Sequence, residues 1–381
     1  MKRSRWSFDA DEGKDSKNNK SERQKDVGGE TKKTAEVGSD ICNGGSQVVA
    51  LEHPLVTGCR SVEAFDKISH IDEGTYGIVW KAKERKTGKI VALKQVKFDD
   101  GVSKKVGFPM AALREINVLL DLAHANIVRV SEMVMGGNAS KIFMVMEYME
   151  CDLKQAVGDL TEVMTQGEVK GVLQQLCSAV SYMHSKFYFH RDLKTSNILV
   201  HKSGKVSICD FGLARKFDKP LRADYTQMVI TLWYRPPELL LGETTYGPEV
   251  DMWSLGCIFA ELLTLKVTFE GQGELDQLDK IFQLLGAPTE ESWPGFTELP
   301  HAKTLSFKGH TKSRLREEIP SNSFSGKTYL NSTGFDLLAN MLSCDPTKRI
   351  TAKQALDHNW FVEAPVGTAV KWNFGTRGQG Q

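Results

Sequence analysis

The order of apolar and polar residues divides the chain into four parts. Residues 1–60 are rich in Lys, Glu, Asp, Ser, Asn and Gly and almost lack apolar periodicity, which predicts a disordered tail. Residues 65–149 have the pattern of a small lobe rich in strands, and residues 150–361 that of a larger, mostly helical lobe. Residues 362–381 carry Gly, Thr and Gln without periodicity and are predicted to form a loose tail.

The small lobe is predicted to contain a hairpin and one helix. Two β-branched runs at 78–83 and 90–96 flank the turn-prone segment 86–89. After Pro109, apolar residues recur at helical spacing, and a strand-like run follows at 142–146. These elements predict a small sheet accompanied by one helix.

The large lobe is predicted to be built from helices. Between Val169 and Met183 the apolar residues fall on one stripe of a helix, whereas the segment 251–263 is apolar on nearly all sides. A helix of the second kind is typical of the centre of a large core. The pattern as a whole predicts an α+β protein of two lobes.

Composition narrows the class of protein. With 381 residues and 40% apolar content, the chain can bury sizeable cores. A net charge of +1 and an isoelectric point near 7.6 give no electrostatic signature for nucleic acid or an anionic membrane surface. The seven cysteines include no Cys-x-x-Cys pair, and no apolar run reaches the roughly 18 residues of a membrane helix. We therefore expect a soluble intracellular protein without disulfide-linked or metal-bound cysteines.

A glycine-containing turn is predicted between the first two strands of the hairpin region. Gly74 and Gly77 lack side chains, so the backbone there can approach phosphate oxygens. The usual phosphate-binding pattern has a glycine where this chain has Asp72. Taken alone, the pattern is equally typical of an ordinary turn.

A lysine and a glutamate are candidates for a phosphate-orienting pair. The second strand ends in Val91-Ala92-Leu93-Lys94, which places a cation where it would contact the α- and β-phosphates of a nucleotide. Glu115, on the predicted helix, is the carboxylate expected to orient Lys94. Movement of this helix would then switch the pair on and off.

The segment 190–197, HRDLKTSN, carries the strongest chemical signal. Asp192 would accept the proton of a substrate hydroxyl, and Lys194 would neutralise charge on the transferring phosphoryl group. Asn197 and Asp210, which begins the triplet Asp-Phe-Gly, offer the oxygen ligands that Mg²⁺ prefers. A solvated polar loop is the alternative, but it does not explain the spacing of all four residues.

Taken together, these motifs resemble the protein kinase family over residues 65–361. More narrowly, TLWYRPPE at 231–238 and DMWS at 251–254 are similar to segments of the cyclin-dependent kinases. GFPMAALRE at 107–115 lies where that group has its cyclin-contacting helix. The chain looks most like the PITSLRE-type branch, with the PISSLRE-type branch a close second. This resemblance implies a bilobal serine/threonine kinase that uses ATP and Mg²⁺.

The resemblance implies an ATP site between the lobes. Backbone groups of Glu147 and Met149 would bond adenine, Met146 would be the gatekeeper, and Asp152 would reach the ribose. The methionines around 146 are equally compatible with ordinary core packing. The other implied contacts are Ile71, Gly74, Thr75, Gly77, Val79, Ala92, Lys94 and Leu199.

The resemblance also implies regulation by phosphate. Thr226 takes the position of the activating phosphothreonine, which an upstream kinase would modify. Arg114, Arg191 and Arg215 would anchor that phosphate. At Thr75 and Tyr76, related kinases are inhibited by phosphorylation, and whether this chain uses that control stays open.

The implied substrates contain Ser-Pro or Thr-Pro, because Val229, Ile230 and Arg235 match the segment that accepts proline. A regulatory cyclin is the implied partner, and the nucleus is favoured over the cytoplasm. The implied roles are transcription, RNA processing or cell-cycle control. Glu238 is expected to pair with Arg349.

Two departures and two alternatives accompany this interpretation. Residues 110–112, Met-Ala-Ala, differ from the branch and leave the identity of the cyclin open, and Pro236 replaces an alanine. A mitogen-activated kinase would need Thr-x-Tyr and a following arginine, where this chain has Met228 and Leu232. A pseudokinase acting as a cyclin-binding scaffold would lack a catalytic residue, and none is missing.

Overall fold

The computed structural model of the protein describes most of the chain from Gly58 onward. The described residues are 58–74, 77–96, 110–137, 141–218, 225, 229–305, 309–319, 321, 329–372 and 374. The tail predicted before residue 58 therefore lies outside the described residues, as do the predicted sites at Thr75, Tyr76 and Thr226.

The small lobe is built on a six-stranded sheet in the order β1-β5-β6-β4-β3-β2. Neighbouring strands are antiparallel except for β1, which pairs in parallel with β5. The strands are β1 Arg60–Ser61, β2 Phe65–Gly74, β3 Gly77–Glu84, β4 Ile90–Val96, β5 Val130–Met135 and β6 Ile142–Glu147. The predicted hairpin is confirmed as β3 and β4, and the predicted strand at 142–146 as β6.

Strand β1 pairs with the end of β5, at Val134 and Met135, and is held there by ion pairs. The Arg60 guanidinium pairs with Glu84 at 2.6 Å and with Glu132 at 2.5 Å. Its guanidinium carbon also lies 5.4 Å from the centre of the Phe65 ring. The start of the described chain is thereby fixed to two other strands of the sheet.

Alternation along β4 decides which side chains face the cleft between the lobes. Val91 and Leu93 join a small core on the outer face of the sheet, whereas Ala92 belongs to the main core. Because successive side chains of a strand point to opposite faces, Lys94 shares the face of Ala92.

The predicted helix of the small lobe is confirmed as α1, Met110–Asp121. Ile116 and Leu119 are buried in the main core. At the end of the helix, the Tyr188 hydroxyl donates to Asp121 Oδ2 at 2.6 Å, which ties α1 to the large lobe. This placement turns Glu115 towards β4.

The large lobe is mostly helical among the described residues. Its helices are α2 Leu153–Gly158, α3 Gln166–Ser185, α4 Pro237–Leu240, α5 Glu249–Thr264, α6 Glu274–Leu285, α7 Leu315–Glu318, α8 Ser332–Met341 and α9 Ala352–Leu356. Its short strands are β7 Cys151–Asp152, β8 Tyr188–Phe189, β9 Ile198–Val200, β10 Val206–Ile208 and β11 Arg215–Lys216, paired as β10-β9-β7 and β11-β8. Both predicted helices are confirmed, as α3 and α5. In the described part of the chain, no helix has the length and apolarity to cross a membrane.

Helices α3 and α5 form the centre of the lobe. A reciprocal cap begins α3, in which Glu168 and Thr165 each bond the other's backbone N–H. Every residue of α5 from Val250 to Leu263 is buried, as its apolar pattern predicts. These two helices support the loops that carry the chemistry.

The prediction of a loose tail after Phe361 is wrong for residues 362–372. Val370 and Trp372 are only 4% and 8% exposed, and the Thr368 N–H donates to the Gly167 carbonyl at 2.8 Å. The side chains from 364 to 369 are exposed. The segment is therefore held by two buried side chains and by its backbone, and backbone contacts leave no hydrophobic periodicity in the sequence.

Candidate active site

A buried aspartate on α5 holds the HRD segment in place. Asp251 accepts the His190 N–H at 2.8 Å on Oδ2 and the Arg191 N–H at 2.9 Å on Oδ1. Burial would raise the pKa of Asp251, but the hydrogen bond from His184 and the charges nearby hold it below its ordinary value. The ionised carboxylate fixes Arg191 at φ 68°, so the chain bends sharply before Asp192.

Asp192 lies at the centre of a hydrogen-bond network. Its Oδ2 accepts from Lys194 Nζ at 2.7 Å and from Asn197 Nδ2 at 3.1 Å. Its Oδ1 accepts from the Thr231 N–H at 3.0 Å and the Thr231 hydroxyl at 2.8 Å. The structure thus brings together the predicted base, the predicted cation and one predicted metal ligand.

The expected ion pair between the small-lobe lysine and helix α1 is present. Lys94 Nζ lies 2.6 Å from Glu115 Oε1, and both side chains are buried. Burial would lower the pKa of Lys94, but the charges of Glu115 and Asp210 hold it above its ordinary value. Lys94 is therefore held as a cation, and the charge of Asp210 contributes to this.

The residues predicted to hold Mg²⁺ lie on neighbouring segments. The Cys209 N–H donates to the Asn197 carbonyl at 2.9 Å, which ties the strand end before Asp210 to the catalytic loop. The Asn197 amide nitrogen is committed to Asp192, so its amide oxygen is the atom available to a metal. An amide oxygen and a carboxylate are hard ligands, and this donor set fits Mg²⁺.

The backbone at Gly77, where phosphate is predicted to bind, lies very close to the neighbouring strand. Gly77 has φ 151°, and a Cβ there would lie 2.1 Å from the Gln95 carbonyl oxygen. Only glycine is accommodated at this position. Gly74 is paired with Gly77 across the turn.

The predicted adenine contacts surround the cleft from both lobes. The strand register places Val79 opposite Lys94 and Ala92 opposite Met146. From the large lobe, Leu199 pairs with Asp152 in the β9-β7 ladder. Met146 and Met149 are buried, whereas Ile71 is exposed.

Glu147 and Asp152 also form hydrogen bonds within the protein. The Glu147 N–H donates to the Arg129 carbonyl at 3.2 Å, so the Glu147 carbonyl is the backbone group left for adenine. Asp152 accepts the Gln155 N–H at 2.8 Å and thereby caps α2. Burial, and secondarily the charge of Asp72, raises the pKa of Asp152.

The three predicted phosphate anchors converge on the segment after Asp210. Arg114 donates to the Gly212 carbonyl at 2.9 Å, and Arg191 Nε to the Leu213 carbonyl at 2.8 Å. Burial, together with the charges of Arg114 and Arg191, lowers the pKa of Arg215 to about 10. Within the described residues, none of the three arginines forms an ion pair with a carboxylate.

The three predicted proline-pocket residues are also brought together. Arg235 donates from Nε to the Val229 carbonyl at 3.0 Å and from NH2 to the Ile230 carbonyl at 3.1 Å. Ile230 has φ 64°, which is strained for a β-branched residue. Arg235 also pairs with Glu274 at 2.6 Å, and these contacts hold the strained turn.

The expected pair of Glu238 and Arg349 is present and buried. Its two bonds, NH1 to Oε1 and NH2 to Oε2, measure 2.7 and 2.9 Å. The same guanidinium donates to the Glu249 carbonyl at 2.9 Å. The pair thus joins the segment after the proline pocket to the far end of the lobe.

Two site residues escaped the sequence reasoning. Thr231 was recognised only as a motif position, and Asp251 only as part of DMWS. Each contacts a partner far away in the chain, so no local spacing shows the contact.

Comparison with protein families matches residues 65–361 to the protein kinase domain. Among curated proteins, Cyclin-dependent kinase G-2 of Oryza sativa subsp. japonica is 50% identical over 312 residues, covering 82% of this chain and 43% of the relative. Cyclin-dependent kinase G1 of Arabidopsis thaliana is 49% identical over 317 residues, covering 83% and 52%. Cyclin-dependent kinase 11B of Homo sapiens is 47% identical over 313 residues, covering 82% and 38%. The chain spans about half or less of the length of these relatives.

Proposed function

Because the chain belongs to the protein kinase family, in the cyclin-dependent branch with the G-type and 11-type enzymes, we propose that it phosphorylates serine or threonine followed by proline. ATP supplies the γ-phosphate. The observation that carries the proposal is the network around Asp192, which joins Lys194, Asn197 and Thr231 in one partly buried site.

In the proposed reaction, Asp192 accepts the proton of the substrate hydroxyl as its oxygen attacks the γ-phosphorus. The bond between the γ-phosphorus and the bridging oxygen breaks, and ADP leaves. Lys194, 2.7 Å from the Asp192 carboxylate, neutralises charge on the transferring group. Thr231 keeps the carboxylate oriented through two bonds to one oxygen.

Nucleotide orientation is assigned to Lys94, Asn197 and Asp210. Lys94, held by Glu115, would contact the α- and β-phosphates. Asn197 and Asp210 would hold Mg²⁺, which when bound neutralises the phosphate oxygens. The adenine would lie between Val79, Ala92 and Leu199, with backbone bonds at Glu147 and Met149.

Selection of proline follows from the carbonyls next to Arg235. The guanidinium occupies the Val229 and Ile230 carbonyls, so a substrate N–H after the target hydroxyl finds no acceptor there. An unpaired N–H costs free energy on burial, and proline has none. Ser-Pro and Thr-Pro are the sites favoured by this arrangement.

Regulation is proposed to act on the arginine cluster and α1. A phosphate on Thr226, added by an upstream kinase, would offset much of the positive charge of the three guanidinium groups. Arg114 and Glu115 are consecutive in α1, so a cyclin bound to that helix and a phosphate would act on the same element. Location in the nucleus and inhibition at Thr75 or Tyr76 stay predictions.

The test is a transfer assay with purified protein, with and without candidate cyclins. We expect phosphate transfer from Mg²⁺–ATP to a Ser-Pro peptide, weaker transfer to the matching Ser-Ala peptide, and stimulation by one cyclin. Absence of transfer under all conditions would favour the scaffold alternative. Transfer that no cyclin stimulates would remove the cyclin-dependent part of the proposal.

A further inference from the structure

The segment 363–372, here called the C-terminal brace, is anchored to α3 by a buried lysine. Lys170 Nζ donates to the Glu363 carbonyl at 2.7 Å and to the Pro365 carbonyl at 2.8 Å. It also lies 5.0 Å from the centre of the Trp360 ring. Lys170 is fully buried, so its charge depends on these partners for compensation.

Two glycines let the brace lie directly against its supports. A Cβ on Gly171 of α3 would lie 2.0 Å from the Thr368 carbonyl oxygen. A Cβ on Gly204, in the turn between β9 and β10, would lie 2.8 Å from Ala369 Cβ. The brace therefore passes from α3 onto this turn without room for a side chain at either contact.

The same turn holds the linker between the lobes, residues 147–150. Lys205 Nζ contacts both carboxylate oxygens of Glu147, at 2.9 and 2.7 Å. The Lys202 N–H donates to Glu150 Oε2 at 2.9 Å. Both ends of the linker are thus fastened to the turn that contains Gly204.

One further contact couples the turn to α3. Gln175 Nε2 donates to the Gly204 carbonyl at 3.1 Å and to the Gly171 carbonyl at 3.0 Å. The Gln175 side chain therefore bonds both positions that the brace contacts, Gly171 on the helix and Gly204 in the turn. A displaced brace would leave both sites less supported.

We propose that the C-terminal brace positions the interlobe linker for nucleotide binding, acting through Gly204 and the pair of Lys205 with Glu147. The inference rests on the proposed function in that the linker binds adenine. A linker already held in its binding geometry loses less conformational freedom when the nucleotide binds. Releasing the brace would therefore weaken nucleotide affinity without touching the residues that transfer phosphate.

The decisive variant is Gly171→Ala. Alanine favours a helix over glycine, so α3 itself is not weakened, but the added Cβ must displace Thr368. The matched control is Gly158→Ala, at the end of α2, where an added Cβ meets no atom within 4 Å. Lys205→Met is the second variant, which removes the contact to Glu147 from a half-buried position.

The measurements are Mg²⁺–ADP affinity by calorimetry and amide hydrogen exchange at 147–150 in the nucleotide-free protein. We expect Gly171→Ala and Lys205→Met each to weaken ADP binding by about threefold to tenfold and to speed exchange in the linker. The double variant should be no weaker than the stronger single variant, because both act along one path. Gly158→Ala should match the wild type.

Unchanged ADP affinity and linker exchange in Lys205→Met would overturn the inference, even if Gly171→Ala failed to fold. Fully additive effects in the double variant would also overturn it. If the wild-type chain bound no ADP, the proposed function would fail. Exchange at 147–150 in Gly171→Ala would then still decide whether the brace supports the linker.

Discussion

Thr231 donates both its backbone N–H and its hydroxyl to a single carboxylate oxygen of Asp192, at 3.0 and 2.8 Å. The same hydroxyl accepts from Lys194 Nζ at 2.9 Å. One threonine thus fixes the proposed base and its cationic neighbour relative to the proline pocket, whose Ile230 is the residue before Thr231. Asp192 is oriented by the substrate-binding segment itself.

Replacing Thr231 by valine should test how far its hydroxyl orients Asp192, because the charges of Asp192 and Lys194 stay the same. Thr231→Val keeps the side-chain shape and the backbone bond but removes the hydroxyl, so we expect kcat to fall about tenfold with little change in the KM for ATP. Thr231→Ser should restore most of the activity. An equal loss in the serine variant would show that packing, not the hydroxyl, matters.

Asp192→Asn should remove the proton acceptor while keeping the side-chain volume. We expect phosphate transfer to fall by about 100-fold to 10,000-fold, with Mg²⁺–ADP affinity near that of the wild type, because Asp192 is not assigned to nucleotide binding. Asp357→Asn, which changes an exposed aspartate paired with Lys353, is the control. Full activity of Asp192→Asn on Ser-Pro peptides would refute the assignment.

Arg235→Lys should relax the selection of proline. A lysine keeps the positive charge but has no planar fork to occupy both carbonyls, so the N–H of a non-proline residue gains an acceptor. We expect the ratio of kcat/KM for Ser-Pro over Ser-Ala peptides to fall about fivefold to tenfold. An unchanged ratio, with Glu274→Gln as the comparison, would show that Arg235 does not set specificity.

Phosphorylation of Thr226 should stabilise the protein through the arginine cluster. Burial and the charges of Arg114 and Arg191 lower the pKa of Arg215 to about 10, and the phosphate would give these three guanidinium groups a counter-charge. We expect phosphorylated protein to have a higher Tm and higher activity than the phosphatase-treated protein. Thr226→Ala and Arg215→Gln should each abolish the Tm difference, and its persistence in Arg215→Gln would contradict the cluster's role.

Glu238→Gln should destabilise the large lobe. The variant leaves the buried Arg349 without its counter-charge, and breaking a buried pair costs about 3–5 kcal/mol of unfolding free energy. The measurement is urea unfolding followed by fluorescence. Glu298→Gln, in an exposed pair with Lys303, should change the free energy by less than about 0.5 kcal/mol. Similar losses in both variants would argue against a special role for the buried pair.

The sequence predicted those parts of the site that are encoded locally. Lys94 ends a strand, and Asp192, Lys194 and Asn197 lie within one loop, so their types and spacing are visible without the fold. The contact of Lys94 with Glu115 was also foreseen, because one strand and one helix suffice to describe it. The α+β architecture could be predicted because the apolar residues have a strand-like pattern in the small lobe and helical spacing in the large lobe.

Contacts between distant segments could not be read in the same way. Thr231 and Asp192 are 39 residues apart, and Lys170 and Pro365 are 195 apart. A second reason applies to the brace, since much of it is held by its carbonyls and by the absence of side chains at Gly171 and Gly204. Neither feature alters the apolar pattern from which elements are predicted.

Strand β1 has a consequence for how the protein behaves at high concentration. Without Arg60–Ser61, the edge of β5 at Val134 and Met135 would present unpaired backbone groups to another strand. The short, charged β1 occupies that edge, and its Arg60 is tied to Glu84 and Glu132. A truncated domain that begins at Phe65 would leave this part of the β5 edge unpaired and prone to intermolecular strand pairing. We therefore expect the residues just before the kinase domain to lower the tendency of this edge to pair with a strand of another molecule.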